Sequence, residues 1–109
     1  MDEEKAVKKY LPMTETMFFI LLSLQQEHHG YGIMQHVKQI TNNRIILGAG
    51  TIYNSLSRLE KDGLIKVLSE EDRRKIYIAT TLGRKILKIE AKRLVELYEN
   101  AKTLLEESI

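Results

Sequence analysis

The chain has 109 residues, with 17 Lys and Arg against 15 Asp and Glu and no cysteine. That length allows one domain plus an extension, at a size where a second copy adds stability, and the absence of cysteine excludes a disulfide scaffold and a thiolate metal site. No apolar run reaches the roughly 18 residues of a membrane span, and the acidic start Met1-Asp2-Glu3-Glu4 is unlike a secretory signal, so a cytoplasmic protein with no membrane partner is expected.

In chain order, the first expected element is a helix opened by Thr14 and Glu15 after Pro12. It runs through Met17-Phe18-Phe19-Ile20-Leu21-Leu22-Ser23-Leu24. Being apolar almost all round, it must be buried on several sides, in its own domain and against a partner chain. Tyr31 to Ile40 carries apolar residues at Ile33, Met34, Val37 and Ile40, the spacing of a second helix of about three turns. The polar turn Thr41-Asn42-Asn43-Arg44 follows, and the apolar run Ile45-Ile46-Leu47-Gly48 reads as a short edge strand.

Gly50 to Asp62 is the most informative segment. Ile52, Leu56 and Leu59 fall on one face of a helix at i, i+4, i+7, while Gly50, Asn54, Ser57, Arg58 and Lys61 fall on roughly the opposite one. An outer face of small polar side chains, with cations toward its C-terminal half, suits a helix lying in a DNA major groove. Tyr53 sits at the border of the two faces, where its ring can pack while its hydroxyl reaches a phosphate. Asp62-Gly63 ends the helix, and Leu64 to Leu68 reads as a strand whose partner is Lys75 to Thr80. The intervening tip, Ser69 to Arg74, reads as a wing. In it Arg73 and Arg74, with Lys75 beside them, are placed to meet phosphates or a minor groove, and Glu70, Glu71 and Asp72 are expected to point along the opposite side.

From Thr80, a good N-cap, to about Glu107 there is no proline. Leu87, Ala91, Leu94, Tyr98, Ala101 and Leu105 recur at steps of four and three, the seam of a coiled coil. A helix of about 27 residues is near 40 Å long, more than one small domain can shelter, so a dimer interface is expected along it with Phe18 contributing. His28, His29 and His36 lack the cysteine or ordered carboxylates that would complete a metal site. No nucleophile elbow, Walker loop, zinc-protease motif or dinucleotide turn is present, so neither an enzyme nor a cofactor is expected.

The net charge of +2 is small for a nucleic-acid binder, but residues 31–77 hold eight Lys and Arg against five Asp and Glu. Binding through such a modest excess should be salt-sensitive and should need two copies. The fold expected is mainly α with a small β-hairpin wing, as a winged helix-turn-helix over residues 1–80 and a dimerisation helix over 81–109. Thr51, Tyr53, Asn54, Ser57, Arg58, Lys61, Arg73, Arg74 and Lys75 are the candidate contacts to a double-stranded DNA operator. The alternative is a winged helix whose helix and wing contact another protein.

The run Tyr31-Gly32, Gly50-Thr51-Ile52-Tyr53, Leu56, Arg58-Leu59-Glu60, Asp62-Gly63-Leu64-Ile65, Arg73-Arg74-Lys75, Tyr77, Thr80 and Gly83 resembles, in order and spacing, the short form of the PadR family of transcriptional regulators. The resemblance implies a cytoplasmic homodimeric repressor with an N-terminal winged helix and a C-terminal dimerisation helix. In several proteins of this kind an aromatic effector binds at the dimer centre, and the resemblance thereby implies Met13, Met17, Leu94 and Tyr98 as the candidate pocket for a small aromatic or apolar effector.

Overall fold

The computed structural model describes residues 1–107, so the last two positions of the expected 81–109 segment lie outside the described residues. Seven elements follow one another: α1 (Glu3–Tyr10), α2 (Glu15–Ser23), α3 (Gly30–Ile40), α4 (Ala49–Lys61), β1 (Ile65–Glu71), β2 (Arg74–Ala79) and α5 (Thr81–Glu106). Helices α2, α3 and α4 with the β1–β2 hairpin form a winged helix-turn-helix, and α5 runs out from it.

Helix α1 is not among the expected elements. Asp2 caps it by accepting from the Lys5 amide, acidic Glu3 and Glu4 open it and basic Lys8 and Lys9 close it, all in agreement with the helix dipole. Its only fully buried residues are Ala6 and Tyr10, one i, i+4 pair, with Val7 partly buried beside them on a polar helix.

The core takes in Ala6 and Tyr10 of α1 and gathers residues from the four other helices. Ile20 and Leu21 of α2, Ile33 and Val37 of α3, Ile52, Leu56 and Leu59 of α4 and Ile86 and Leu87 of α5 close on Leu64, Ile65, Tyr77 and Ala79 of the hairpin. Thr80 joins the hairpin to α5: its hydroxyl donates to the Gly63 carbonyl and accepts from the Gly83 amide, while its own amide donates to the Leu64 carbonyl. That junction is so close that a Cβ on Gly83 would stand 2.0 Å from the Leu64 carbonyl oxygen. Glycine is therefore required there by contact rather than by conformation.

Two expectations are corrected. Residues 45–48 form no strand; the Ile45 amide donates to the Thr41 hydroxyl and the segment enters α4 as an irregular turn. The outer edge of β2 is taken instead by an earlier segment: His28 and Tyr77 exchange both backbone hydrogen bonds, and the Ala79 amide donates to the Leu24 carbonyl. The wing is also tighter than expected. Only Asp72 and Arg73 form its turn, both with left-handed φ (49° and 66°), as a two-residue hairpin of primed type requires. Glu71 then pairs with Arg74 and Glu70 with Lys75 across the strands. Residues directly opposite share a face of the ribbon, so the acidic and basic side chains lie beside one another and not on opposite sides.

Candidate nucleic-acid interface

Helix α4 presents two contrasting faces. Ile52, Leu56 and Leu59 are buried, and Thr51, Tyr53, Asn54, Ser57, Arg58 and Lys61 are all exposed. The helix starts at Gly48 without a side-chain cap, so small residues Gly48, Ala49 and Gly50 lead into Thr51. Asn54 and Ser57 carry the only uncharged polar groups long enough to hydrogen-bond base edges along the middle of the outer face, and Arg58 and Lys61 lie in the last turn.

The tip of the wing and the start of α3 enclose a cleft of about 500 Å³. Arg73, Arg74 and Lys75 line one side, Tyr31 and Tyr53 the other, and Glu70 and Tyr77 also border it. Tyr53 reaches the cleft across Gly30, where an added Cβ would stand 2.8 Å from the Tyr53 hydroxyl. The structure thus brings Tyr53 together with the three wing cations. Tyr31, 56% exposed, completes the cleft; it was legible in the sequence only as part of a motif. Arg58 and Lys61 lie at the other end of α4, away from this group.

That other end carries an arrangement the sequence did not disclose. The Tyr10 hydroxyl donates to Asp62 Oδ2 at 2.6 Å, Lys9 Nζ lies 2.6 Å from the same oxygen, and the Arg58 guanidinium stands 5.7 Å over the Tyr10 ring. The Lys9 ammonium and then the Tyr10 hydroxyl hold the Asp62 carboxyl below its ordinary range. Burial, with Asp62 beside it, pushes the Tyr10 phenol well above its ordinary range, so it remains a donor.

The three histidines are committed to the protein itself. His29 Nδ1 accepts from the Gly32 amide at 3.0 Å and caps α3. His36 Nδ1 hydrogen-bonds to the Ser23 hydroxyl at 2.8 Å; that hydroxyl donates to the Phe19 carbonyl, so His36 donates to it. His28 stacks on His36 with ring centroids 5.6 Å apart, and burial followed by the neighbouring histidines lowers its pKa.

Along α5 the expected seam divides. Leu87 is buried in its own domain, Ala91 and Leu94 are half-buried, and Tyr98, Ala101 and Leu105 are exposed. Leu87 is therefore spent inside the protomer, because the first three turns of α5 lie on α1, α2 and the hairpin. Phe18 is half-buried at the mouth of a cavity of about 340 Å³, which Met13, Leu94, Phe19, Glu15 and Glu90 also line. Of the expected effector pocket, Met13 and Leu94 meet there, while Met17 and Tyr98 are not among the lining residues. Among the described residues no helix is long and apolar enough to cross a membrane.

A family model described as the Transcriptional regulator PadR-like family matches residues 20–89. An uncharacterized protein of Lysinibacillus sphaericus is 33% identical over 82 residues, 72% of this chain and 75% of that one. An uncharacterized 37.1 kDa protein in a transposon of Streptomyces fradiae is 36% identical over 69 residues, 63% of this chain; the match spans only 19% of that relative's length. Among solved structures, a PadR-like transcriptional regulator from Bacillus cereus superposes with a TM-score of 0.71 at 22% identity, covering 95% of this chain and 99% of that one. A transcriptional regulator from Clostridium thermocellum gives 0.69 at 22% identity over 94% and 99%. At such identities these structures establish a shared fold. The family model spans most of the chain and contains α3, α4 and the wing, and the chain belongs to the PadR-like family of transcriptional regulators.

Proposed function

We propose that the protein is a sequence-specific DNA-binding repressor that acts as a homodimer. The observation that carries this is the outer face of α4, where Thr51, Asn54 and Ser57 stand free between the cationic cleft at one end and Arg58 and Lys61 at the other. Short polar groups flanked by cations suit base readout in a major groove with phosphates gripped on both sides. Residues 1–80 would read the DNA and the helix beyond them would hold two copies, so that two α4 helices enter successive major grooves about 34 Å apart. Because Glu70 and Glu71 neighbour the wing cations, the electrostatic share of binding is modest and pairing of half-sites supplies the rest.

An apolar or aromatic effector entering near Met13, Phe18 and Leu94 would alter DNA affinity only by favouring one spacing of the two reading helices. Compounds that bind there and leave operator affinity untouched would remove the regulatory role.

Binding is tested with duplexes selected from a random pool and with unselected duplex, each over a salt series. Asn54→Ala should weaken the selected site by roughly 1–3 kcal/mol and unselected DNA little. Arg74→Ala should weaken both and flatten the salt dependence. Equal losses for Asn54→Ala on both duplexes would defeat the assignment of base contacts. No salt-sensitive binding to any duplex would point instead to a protein partner for α4 and the wing.

A further inference from the structure

Among the described residues two carboxylates are buried, Asp62 and Glu90, at 7% and 1% exposure. Both are held by one short stretch, Lys9 to Met13. A buried carboxylate without partners is costly, so each must be answered locally. Lys9 and Tyr10 answer Asp62, and Glu90, paired with Arg93 of its own helix, also accepts from the Met13 amide at Oε2, at 2.6 Å. The stretch therefore ties the C-cap of α4 to the middle of α5. It lies outside residues 20–89, the part matched by the family model.

Tyr10 does one thing more. Its ring lies under the exposed guanidinium of Arg58, one turn before Asp62, at the end of the helix proposed to read DNA. A guanidinium held over an aromatic face by cation–π attraction keeps N–H groups free for an anion, and the contact limits the rotamers it would otherwise lose on binding. Lys9 neutralises Asp62, whose charge at a helix C-terminus would otherwise oppose an approaching phosphate. We propose that Tyr10 is a positioning residue for DNA binding: helix α1 supplies the ring that holds Arg58 edge-outward toward the phosphate backbone and fixes the C-terminal end of α4. This rests on the DNA reading given above.

The test uses the whole chain and random-sequence duplex over a salt series, with Tyr10→Leu, Tyr10→Phe, Arg58→Ala and the double variant of Tyr10→Leu with Arg58→Ala. Tyr10→Leu should weaken binding about five-fold and lower the salt slope by about 1, and Tyr10→Phe, which keeps the ring, should retain the slope. Arg58→Ala should add little once Tyr10→Leu is present, since both remove the same contact. Losses that add, or tighter binding by Tyr10→Leu, would overturn the proposal. Should Tyr10→Leu fail to fold, NMR of the wild type and of Tyr10→Phe decides: the Arg58 side-chain protons should be shifted upfield by the ring, and random-coil shifts would overturn it. Wild type that binds no duplex overturns the DNA reading and this proposal together, whereas salt-sensitive wild-type binding with additive losses removes the role of Tyr10 alone.

Discussion

Helix α5 is one unbroken helix with two different fates. Through Glu90 it is sunk into its own domain, with Gly83, Ile86, Leu87 and Glu90 buried. Beyond Leu94 it exposes Val95, Leu97, Tyr98, Leu104 and Leu105, each more than half accessible. The apolar period is continuous across the boundary, so the difference lies in what the rest of the chain can cover. Helices α1 and α2 and the hairpin reach only the first half. The second half offers a row of large apolar side chains at helical spacing that none of the described residues shields, which is the argument for a second copy there.

The contrast is broken most severely at the inner half. Gly83→Ala places a methyl group where the Leu64 carbonyl already stands 2.0 Å away, and the obstacle is backbone that also accepts from the Thr80 amide. The start of α5 must then leave the hairpin, at a cost of about 3–4 kcal/mol read by denaturant unfolding. A variant as stable as wild type would mean that the inner half is not docked as described.

At the outer half the opposite result is expected. Leu105→Glu should leave the stability of the protomer within about 0.5 kcal/mol, because that side chain is 76% exposed and touches none of the core. Yet it should weaken association by about 2–3 kcal/mol, seen as monomer in sedimentation, since a carboxylate would be buried between the chains. DNA affinity should fall with it. A variant that remains dimeric would place the seam on another face of α5.

The same division explains what could be read in the sequence. Periodicity disclosed α3, α4 and α5, each of which buries a stripe, and a continuous apolar run disclosed α2; the caps Thr14 and Thr80 marked where α2 and α5 open. Helix α1 was missed because its buried stripe is only Ala6 and Tyr10; Asp2 at its cap and the acidic-to-basic charge order were the available signals. The run 45–48 was apolar enough for a strand, but the outer edge of β2 is occupied by His28 and Leu24, far away in sequence. In the candidate site, the outer face of α4 follows from local spacing alone. The cleft with Tyr31, and the Tyr10–Asp62–Arg58 group, depend on chain segments that meet only in the fold, so no spacing rule could assemble them.

The smallest effect expected is also the one that sits on the boundary, at Glu90. Arg93 first, and the Met13 amide after desolvation, hold the Glu90 carboxyl below its ordinary range. A carboxyl whose pKa is lower folded than unfolded adds stability that is complete above the unfolded value, near 4.3, and is lost as pH falls through the folded one. Asp62 behaves in the same way, held low by Lys9 and Tyr10. His28, lowered by burial, adds a separate loss that begins as pH drops below about 6.5, since the unfolded chain takes up that proton more readily. Glu90→Gln isolates one share of this profile. It keeps an acceptor for the Met13 amide and removes the pairing with Arg93, which is discounted because Arg93 is partly exposed, so the loss at pH 7 should be about 1 kcal/mol. The gap between variant and wild type should close as the pH is lowered toward about 3, while the step below about 6.5 from His28 persists in both. A gap that stays constant over that range would mean that Glu90 holds the boundary of α5 by its shape and not by its charge.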